Sequence, residues 1–310
     1  MRALITGVTG FAGRAMALLL ASRGWSVIGS HGGHLPLPAD LCRLDICTMT
    51  HKLTDPTHTM NLLRDARPDY IFHLAGRTGA DFGALLGSHA GATANLLEAA
   101  RQLCADAVIV IPGSSAQFGD VPQDRQPITE EAEYQPSTLY GIAKTAEAWT
   151  AAHYQRLYSL KIIRTHTFNC IGPGQRPQFV PATFARQIVA IERGTAVPVL
   201  FVGNLQSRRD MIDIRDVASA YLFLATRGRP GRSYNICSGQ THSIGALVER
   251  LRDISRVEFE IRRDPERVQS IDIPVQRGDP SRLQQDTGWH PTVPLDQSLA
   301  DVLEEWRAAI

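Results

Sequence analysis

The sequence predicts an α/β fold, a doubly wound parallel sheet with a smaller, interwoven C-terminal domain. Three observations carry this expectation. Apolar strands alternate with amphipathic helices through the first half of the chain. Those strands are continuous apolar runs, as expected when helices cover both faces of a parallel sheet. A Gly-rich turn joins the first strand to the first helix.

In chain order, Arg2–Thr6 reads as a strand, followed by the turn and a helix over about Ala12–Arg23. Trp25–Ser30 is a second strand, and Thr57–Arg67 continues as a helix. A third strand spans Asp69–Ala75, followed by a helix that ends near Leu103. Asp106–Gly113 is a fourth strand, and a long helix over about Ser137–Tyr158 leads to a fifth, Lys161–Asn169. After Asn169 the texture changes to a Gly/Pro-rich loop and irregular alternation. Asp213–Thr226 reads as a helix and Ser233–Gly239 as a strand and turn. Ser243–Ser255 and Leu295–Ala309 are amphipathic helices with a Ser or Asp near their starts. The expected division is a nucleotide-binding domain of residues 1–168 with about 210–232, and a second domain of 169–209 with 233–310.

Composition narrows the function. With 310 residues, 44% hydrophobic and 20% charged, the chain can bury a sizeable core. A net charge of +1 gives no electrostatic case for nucleic acid or a membrane surface as the main partner. The apolar run Ala15–Ala21 is too short to span a bilayer and follows a Gly-rich turn, so the default reading is cytoplasmic. Five scattered cysteines, without a C-x-x-C pair, argue against a disulfide framework or structural zinc. The histidines of "HGGH" (His31–His34) have no third ligand nearby, and no metal site is expected.

The turn "TGVTGFAG" spaces Gly7, Gly10 and Gly13 as G-x-x-G-x-x-G. Small residues there let a backbone and a helix N-terminus approach a pyrophosphate, which points to a Rossmann-like dinucleotide site. The second strand ends without an acid to hold a ribose 2′-hydroxyl, and Arg14 follows the third glycine. The reading therefore leans to NADP over NAD, with a solvated helix arginine as the alternative for Arg14. Asp45 is either a contact to the adenine edge or a helix cap.

At the exit of the fourth strand stands "PGSSAQFG" (Pro112–Gly119), two hydroxyls with no acid beside them. In "LYGIAKT", Tyr140 and Lys144 are four residues apart and share a helix face. A nearby ammonium favours the phenolate, so such a Tyr can exchange a proton near neutral pH. Hydride transfer to a carbonyl creates an alkoxide that needs this proton and a second donor, for which Ser114 is placed.

Together these motifs resemble the extended short-chain dehydrogenase/reductase superfamily in its nucleotide-sugar branch. The likeness runs over essentially the whole chain, through "PDYIFHLAG", "YGIAK", "FNCIGPGQ", "RRDMIDIRDV", "YNICSG" and "TGWHPTVPLDQSL" in family order. "FNCIGPGQ", "FARQIVAIE" and "VGNLQSRRD" are most similar to GDP-4-keto-6-deoxymannose reductases. The resemblance implies that Ser114, Tyr140 and Lys144 are catalytic. It implies a cofactor held by Gly7, Gly10, Phe11, Ala12, Gly13, Arg14, Asp45, Ile46, Leu74, Ala75, Gly76, Phe168 and Ile171, with Tyr140 and Lys144. It further implies a nucleotide-diphosphate sugar at Ser115, Asn169, Phe179, Val180, Arg186, Arg209, Arg267 and Gln269, and a homodimer. An Arg fork suits diphosphate oxygens, although Arg209 could equally pair with Asp210 or Asp213.

The chain also departs from the family. The dehydratases carry a Glu at the position of Ala116, and water elimination needs an acid and a base that Ala cannot supply. His89 replaces a supporting Asn, His166 an Arg, Gln269 a diphosphate-gripping Arg and Phe118 a Tyr. The expected function is a reductase moving hydride from NAD(P)H to C4 of a nucleotide-linked 4-keto-6-deoxyhexose. A 4-epimerase with retained NAD is the alternative, and a non-catalytic dinucleotide-binding protein is a third. Along the long helix, Trp149, His153 and Leu157 form a stripe for either an intersubunit bundle or burial on the sheet.

Overall fold

The structure is a computed structural model that describes residues 1–33, 37–44, 46–79, 81–267 and 273–309. Asp45 and Gln269, both named above as site candidates, and His34 lie outside the described residues. In chain order the strands are β1 (Arg2–Thr6), β2 (Ser26–His31), β3 (Cys47–Thr50), β4 (Tyr70–His73), β5 (Val108–Ser114), β6 (Lys161–Thr167), β7 (Asn169–Ile171), β8 (Val199–Val202), β9 (Arg208–Asp213), β10 (Ser233–Ile236), β11 (Thr241–Ser243), β12 (Glu260–Arg263) and β13 (Val275–Gln276). The helices are α1 (Phe11–Ser22), α2 (Ala39–Cys42), α3 (Pro56–Ala66), α4 (Phe82–Leu86), α5 (Ala92–Leu103), α6 (Leu139–Tyr158), α7 (Val180–Glu192), α8 (Ile214–Arg227), α9 (Ile244–Ile254), α10 (Ser281–Thr287) and α11 (Leu295–Ala309). A π-helical turn, Gly87–Gly91, joins α4 to α5.

The main sheet has seven parallel strands in the order β10-β6-β5-β4-β1-β2-β3. Its continuous apolar strands are explained by the pleat: successive side chains enter different cores. Ala3 and Ile5 pack with α1 and α8, through Met16, Leu20, Val217 and Leu224, whereas Leu4 packs with α3 and α5, through Leu62, Leu96 and Ala100. Val110 and Ile163 join the first core, and Ile109 and Ile162 the second. Each such fully buried aliphatic contributes about 1.5–3 kcal/mol, so the sheet's sandwich between helices is the main stabilising feature. The strand order reverses between β1 and β4, which opens a crevice at their carboxyl ends.

Two placements differ from the sequence reading. The short, little-patterned Cys47–Thr50, not expected as a strand, forms the sheet edge and among the described residues pairs with β2. Ser233–Ile236, assigned above to the second domain, is the opposite edge of the main sheet and pairs with β6.

While α8 and α10 pack on the main sheet, α7, α9 and α11 form a separate core. Phe184 and Ile188 of α7, Leu247 and Leu251 of α9, and Leu299 and Leu303 of α11 pack around Leu200 and Met211. β9 is flanked by β11 and β13 and also pairs with β7, while β12 pairs with β8. This lobe stands beside the carboxyl end of β6, because β7 continues the chain two residues beyond it.

Candidate active site

The turn after β1 is shaped by its glycines. Gly7 has φ +70°, and a Cβ there would lie 2.8 Å from Ala75 Cα, so the β4 exit loop rests directly on the turn. A Cβ on Gly13 would overlap the Gly7 carbonyl oxygen, so only glycine lets α1 start so close to β1. Gly10 is the N-cap of α1 and brings no side chain to its free N–H groups. The result is an open helix N-terminus over the crevice, with Phe11, Ala12, Leu74, Ala75 and Gly76 around it, none fully buried. These features fit a dinucleotide pyrophosphate, because backbone N–H groups and the helix dipole face an anion without steric obstruction.

Arg14 is less free than its sequence position implied. Its Nε donates to Asp40 at 2.7 Å, and its Nη1 lies 3.6 Å from Glu305, tying α1 to α2 and α11. Ile46 packs partly buried against the α1 core. Phe168 and Ile171 have buried side chains, Phe168 with Phe118 and Ile128, and Ile171 in the C-terminal core.

At the end of β5, Ser114 caps a short 3-10 turn, Ser115–Gln117. Its Oγ accepts from Ala116 N–H at 3.2 Å, and its own N–H donates to Gln117 Oε1 at 2.8 Å. With its oxygen occupied as an acceptor, the Ser114 hydroxyl keeps its proton for a ligand oxygen or the Tyr140 phenol. Ser115, by contrast, is buried: its Oγ donates to Gln276 Oε1 at 2.9 Å, and Gln276 Nε2 donates back to the Ser115 carbonyl. The sequence reading placed Ser115 toward substrate, but its hydroxyl is held by β13 instead.

Helix α6 starts at an N-cap, Thr138, whose hydroxyl accepts from Gly141 N–H. Gly141 is what brings the helix to the serine turn, since a Cβ there would lie 2.5 Å from the Ala116 carbonyl oxygen. Tyr140 is thereby set beside Ser114, close enough for the hydroxyl to stabilise its anion. Gly141→Ala is expected to push the first turn of α6 away from Ser114. Misplacement on the order of 1 Å can lower turnover about 10²-fold, and steady-state kinetics with an unchanged circular-dichroism spectrum will check it.

One turn on, Lys144 is buried, and its Nζ donates to the Pro112 carbonyl at 2.7 Å and to Glu147 Oε2 at 2.6 Å. Glu147 was not singled out by the sequence reading, although its i+3 spacing from Lys144 was a usable signal. It ends a directional chain of buried hydrogen bonds. Ala75 N–H donates to Thr6 Oγ1, and Thr6 lies 2.9 Å from His73 Nδ1. His73 Nε2 lies 3.0 Å from Thr93 Oγ1, and Thr93 donates to Glu147 Oε1 at 3.1 Å. Burial holds His73 down to about 4, so the ring is neutral, donating through Nε2 and accepting at Nδ1. His89, on the π-helical turn, donates from Nε2 to the Arg77 carbonyl at 3.0 Å and sets Nδ1 3.5 Å from Glu147 Oε2. The His89 ring also meets Tyr140 edge-on, at 5.6 Å between centroids.

The remaining candidates lie on the second lobe or its edge. Asn169 donates to the Asp210 carbonyl at 3.3 Å, and its neighbour Cys170 lies near enough to Tyr140 to influence its charge. Arg209 donates to the Ile273 carbonyl at 2.6 Å, next to the strand β13. Phe179, Val180 and Arg186 are exposed on and before α7. Arg267 is exposed and pairs with Asp264 at 3.0 Å, its backbone resting on Gly203. His166 is buried away from any ligand role, between the Tyr134 hydroxyl at 2.7 Å and Asn235 Oδ1 at 3.0 Å. Among the described residues no cluster of metal-ligating side chains occurs, and no helix is long and apolar enough to cross a membrane.

The geometry therefore combines an anion-receptive glycine turn with a Ser–Tyr–Lys group at the carboxyl end of one sheet. Comparison with known proteins agrees with that arrangement. The sequence profile of the GDP-mannose 4,6 dehydratase family matches residues 4–302. The chain is 32% identical over its full length to 98% of GDP-6-deoxy-D-mannose reductase from Pseudomonas aeruginosa. It is 26% identical to GDP-6-deoxy-D-talose 4-dehydrogenase from Aggregatibacter actinomycetemcomitans, over 91% of this chain and 90% of that one. Among solved structures it superposes on RMD from Pseudomonas aeruginosa complexed with NADPH, with a TM-score of 0.88, 31% identity and complete coverage of both chains. The chain thus belongs to the GDP-mannose 4,6-dehydratase family, within the NAD(P)-dependent extended short-chain dehydrogenase/reductases.

Proposed function

We propose that the protein reduces C4 of a nucleotide-linked 4-keto-6-deoxyhexose, GDP-4-keto-6-deoxymannose first among candidates, to a GDP-6-deoxysugar. The observation that carries this is the Ser114–Tyr140–Lys144 group with Ala116, not an acid, beside it. That set can stabilise and protonate an alkoxide, and it lacks the carboxyl that expulsion of water requires. The full-length likeness to a GDP-6-deoxy-D-mannose reductase supports the same reading.

NADPH, the cofactor in the similar Pseudomonas structure, would lie with its pyrophosphate on the α1 N-terminus at Gly10–Gly13 and supply a hydride when bound. Ser114 donates a hydrogen bond to the C4 carbonyl oxygen and polarises it. Tyr140 gives its phenolic proton to that oxygen as negative charge develops. Lys144 steadies the resulting phenolate and has a third N–H for the nicotinamide ribose, beyond the two directed at Pro112 and Glu147. In this reading Asn169, Arg209 and the exposed side chains of the second lobe receive the sugar nucleotide.

The 4-epimerase alternative is separated by cofactor retention. A reductase purifies without stoichiometric bound NAD and oxidises added NADPH. Protein that arrives saturated with NAD and consumes no NADPH would sink the reductase reading.

A homodimer through α5 and α6 belongs to the same proposal. Trp149 is 64% exposed and Leu157 55%, with His153 exposed between them, so this stripe does not pack on its own sheet. Leu103 of α5 and Tyr158 extend the apolar surface. Trp149→Glu is expected to convert a dimer to a monomer in sedimentation velocity. A wild-type protein that sediments as a monomer contradicts the proposal.

A further inference from the structure

We propose that Glu147, held by Thr93, is a positioning residue that pins the Lys144 ammonium and biases Tyr140 toward giving a proton rather than taking one. The inference rests on the reading of Tyr140 as the proton donor and specifies what sets its direction.

The geometry is a closed box behind the reacting phenol. Glu147 Oε2 holds Lys144 Nζ at 2.6 Å and faces His89 Nδ1 at 3.5 Å, while Oε1 accepts from Thr93 at 3.1 Å. Glu147 is about 1% exposed and Lys144 7%, so solvent screens the charges of this pair little. A lone buried ammonium one helical turn from a phenol would draw the proton off it. Here a buried carboxylate sits on that ammonium and opposes part of its field at the phenol.

The titratable groups around Tyr140 come from several elements: Lys144 and Glu147 on α6, His89 on the π-helical turn, Cys170 on β7 and Tyr221 on α8. His73, on β4, faces Glu147 from behind. Burial first, and Glu147 in addition, push the phenol up against the opposing pull of Lys144 and Ser114. Burial works against the Lys144 charge, yet Glu147, with Tyr140, more than offsets it and holds the ammonium above its ordinary value.

The consequence is directional. Reduction needs a phenol at the start of the step and a phenolate at its end. Oxidation of a sugar hydroxyl, the first half of epimerisation, needs the phenolate at the start. A network that stabilises the ammonium while weakening its pull on Tyr140 favours the first and slows the second. His89 lines this network, and a Cβ on Gly76 would collide with its ring, so the loop after β4 packs against the imidazole.

The test is a near-ultraviolet tyrosinate titration of the ligand-free protein, taken as wild type minus Tyr140→Phe. The Tyr140 phenolate is expected only at or above the ordinary tyrosine range, about 10. In Glu147→Gln it is expected about one pH unit or more lower. Glu147→Asp, which keeps the charge, should titrate close to wild type. In kinetics, Glu147→Gln should move the alkaline limb of kcat for reduction down by the same interval with KM unchanged. A wild-type phenolate already present at neutral pH overturns the proposal without any variant of the network having to fold. So does a Glu147→Gln phenolate that appears where the wild-type one does. Because the titration needs no substrate, it stands apart from any failure to identify the right keto-sugar.

Discussion

Replacing Tyr140 by phenylalanine is expected to lower kcat for reduction by about 10²–10⁴-fold, with KM and melting temperature close to wild type. The ring of Tyr140 packs edge-on against His89, and phenylalanine keeps that contact. Only the hydroxyl, and with it the proton that it would transfer, is lost. Ser114 donates a hydrogen bond but holds its proton too tightly to release it, and Lys144 is turned to Pro112 and Glu147. Residual turnover would come from binding and from the Ser114 hydrogen bond alone. Burial raises the wild-type phenol above its ordinary value, so the wild-type rate should be flat through neutral pH and fall on the alkaline side. Steady-state kinetics across pH, with thermal unfolding as the control, measures both parts.

Lys144→Met is expected to remove most of the activity and to cost about 3–5 kcal/mol of stability at neutral pH. Lys144 is 7% exposed and Glu147 1%, so deleting the ammonium leaves a carboxylate buried beside a thioether. The pH dependence has a definite sign. In wild type, burial pushes the Glu147 carboxyl up, but the Lys144 ammonium leads the groups that hold it below the usual carboxylate range. Its contribution is present above the ordinary carboxylate value and is lost as the pH falls through its folded value. In the variant, burial dominates and the carboxyl titrates high, so stability falls as pH rises. The gap between wild type and variant should therefore narrow on going from about pH 7 to about pH 5. Urea unfolding at the two values tests this, and a gap that widens in acid would contradict the assigned charges.

Much of this site was legible because it is local. Gly7, Gly10 and Gly13 lie within one turn of chain, Tyr140 and Lys144 within one turn of helix, and Ser114 at the tip of an unmistakable strand. What was not legible depends on long-range meetings. The Glu147 network draws on β1, β4, the π-helical turn, α5 and α6, and no periodicity encodes that His89 will meet a carboxylate 58 positions later. Arg14 looked open to a phosphate because Asp40 and Glu305, which hold it, are remote in sequence. Ser115 looked like a substrate contact because Gln276, its partner, is 161 positions away. His166, standing where relatives carry an arginine, is explained by Tyr134 and Asn235 on either side of its ring. Gly141 is the instructive case: its identity was plain in the motif, but its purpose appears only once the Ala116 carbonyl is seen 2.5 Å from where a Cβ would be.

The central claim, that this site delivers a hydride and a proton to C4 without expelling water or returning the hydride, is tested most directly by product stoichiometry. The protein is incubated with GDP-4-keto-6-deoxymannose and NADPH, and NADPH oxidation is followed beside the sugar products. The account predicts NADP and a GDP-6-deoxyhexose formed mole for mole, with none formed by Tyr140→Phe on the same timescale. Interconversion of C4 epimers with no net loss of NADPH would contradict it.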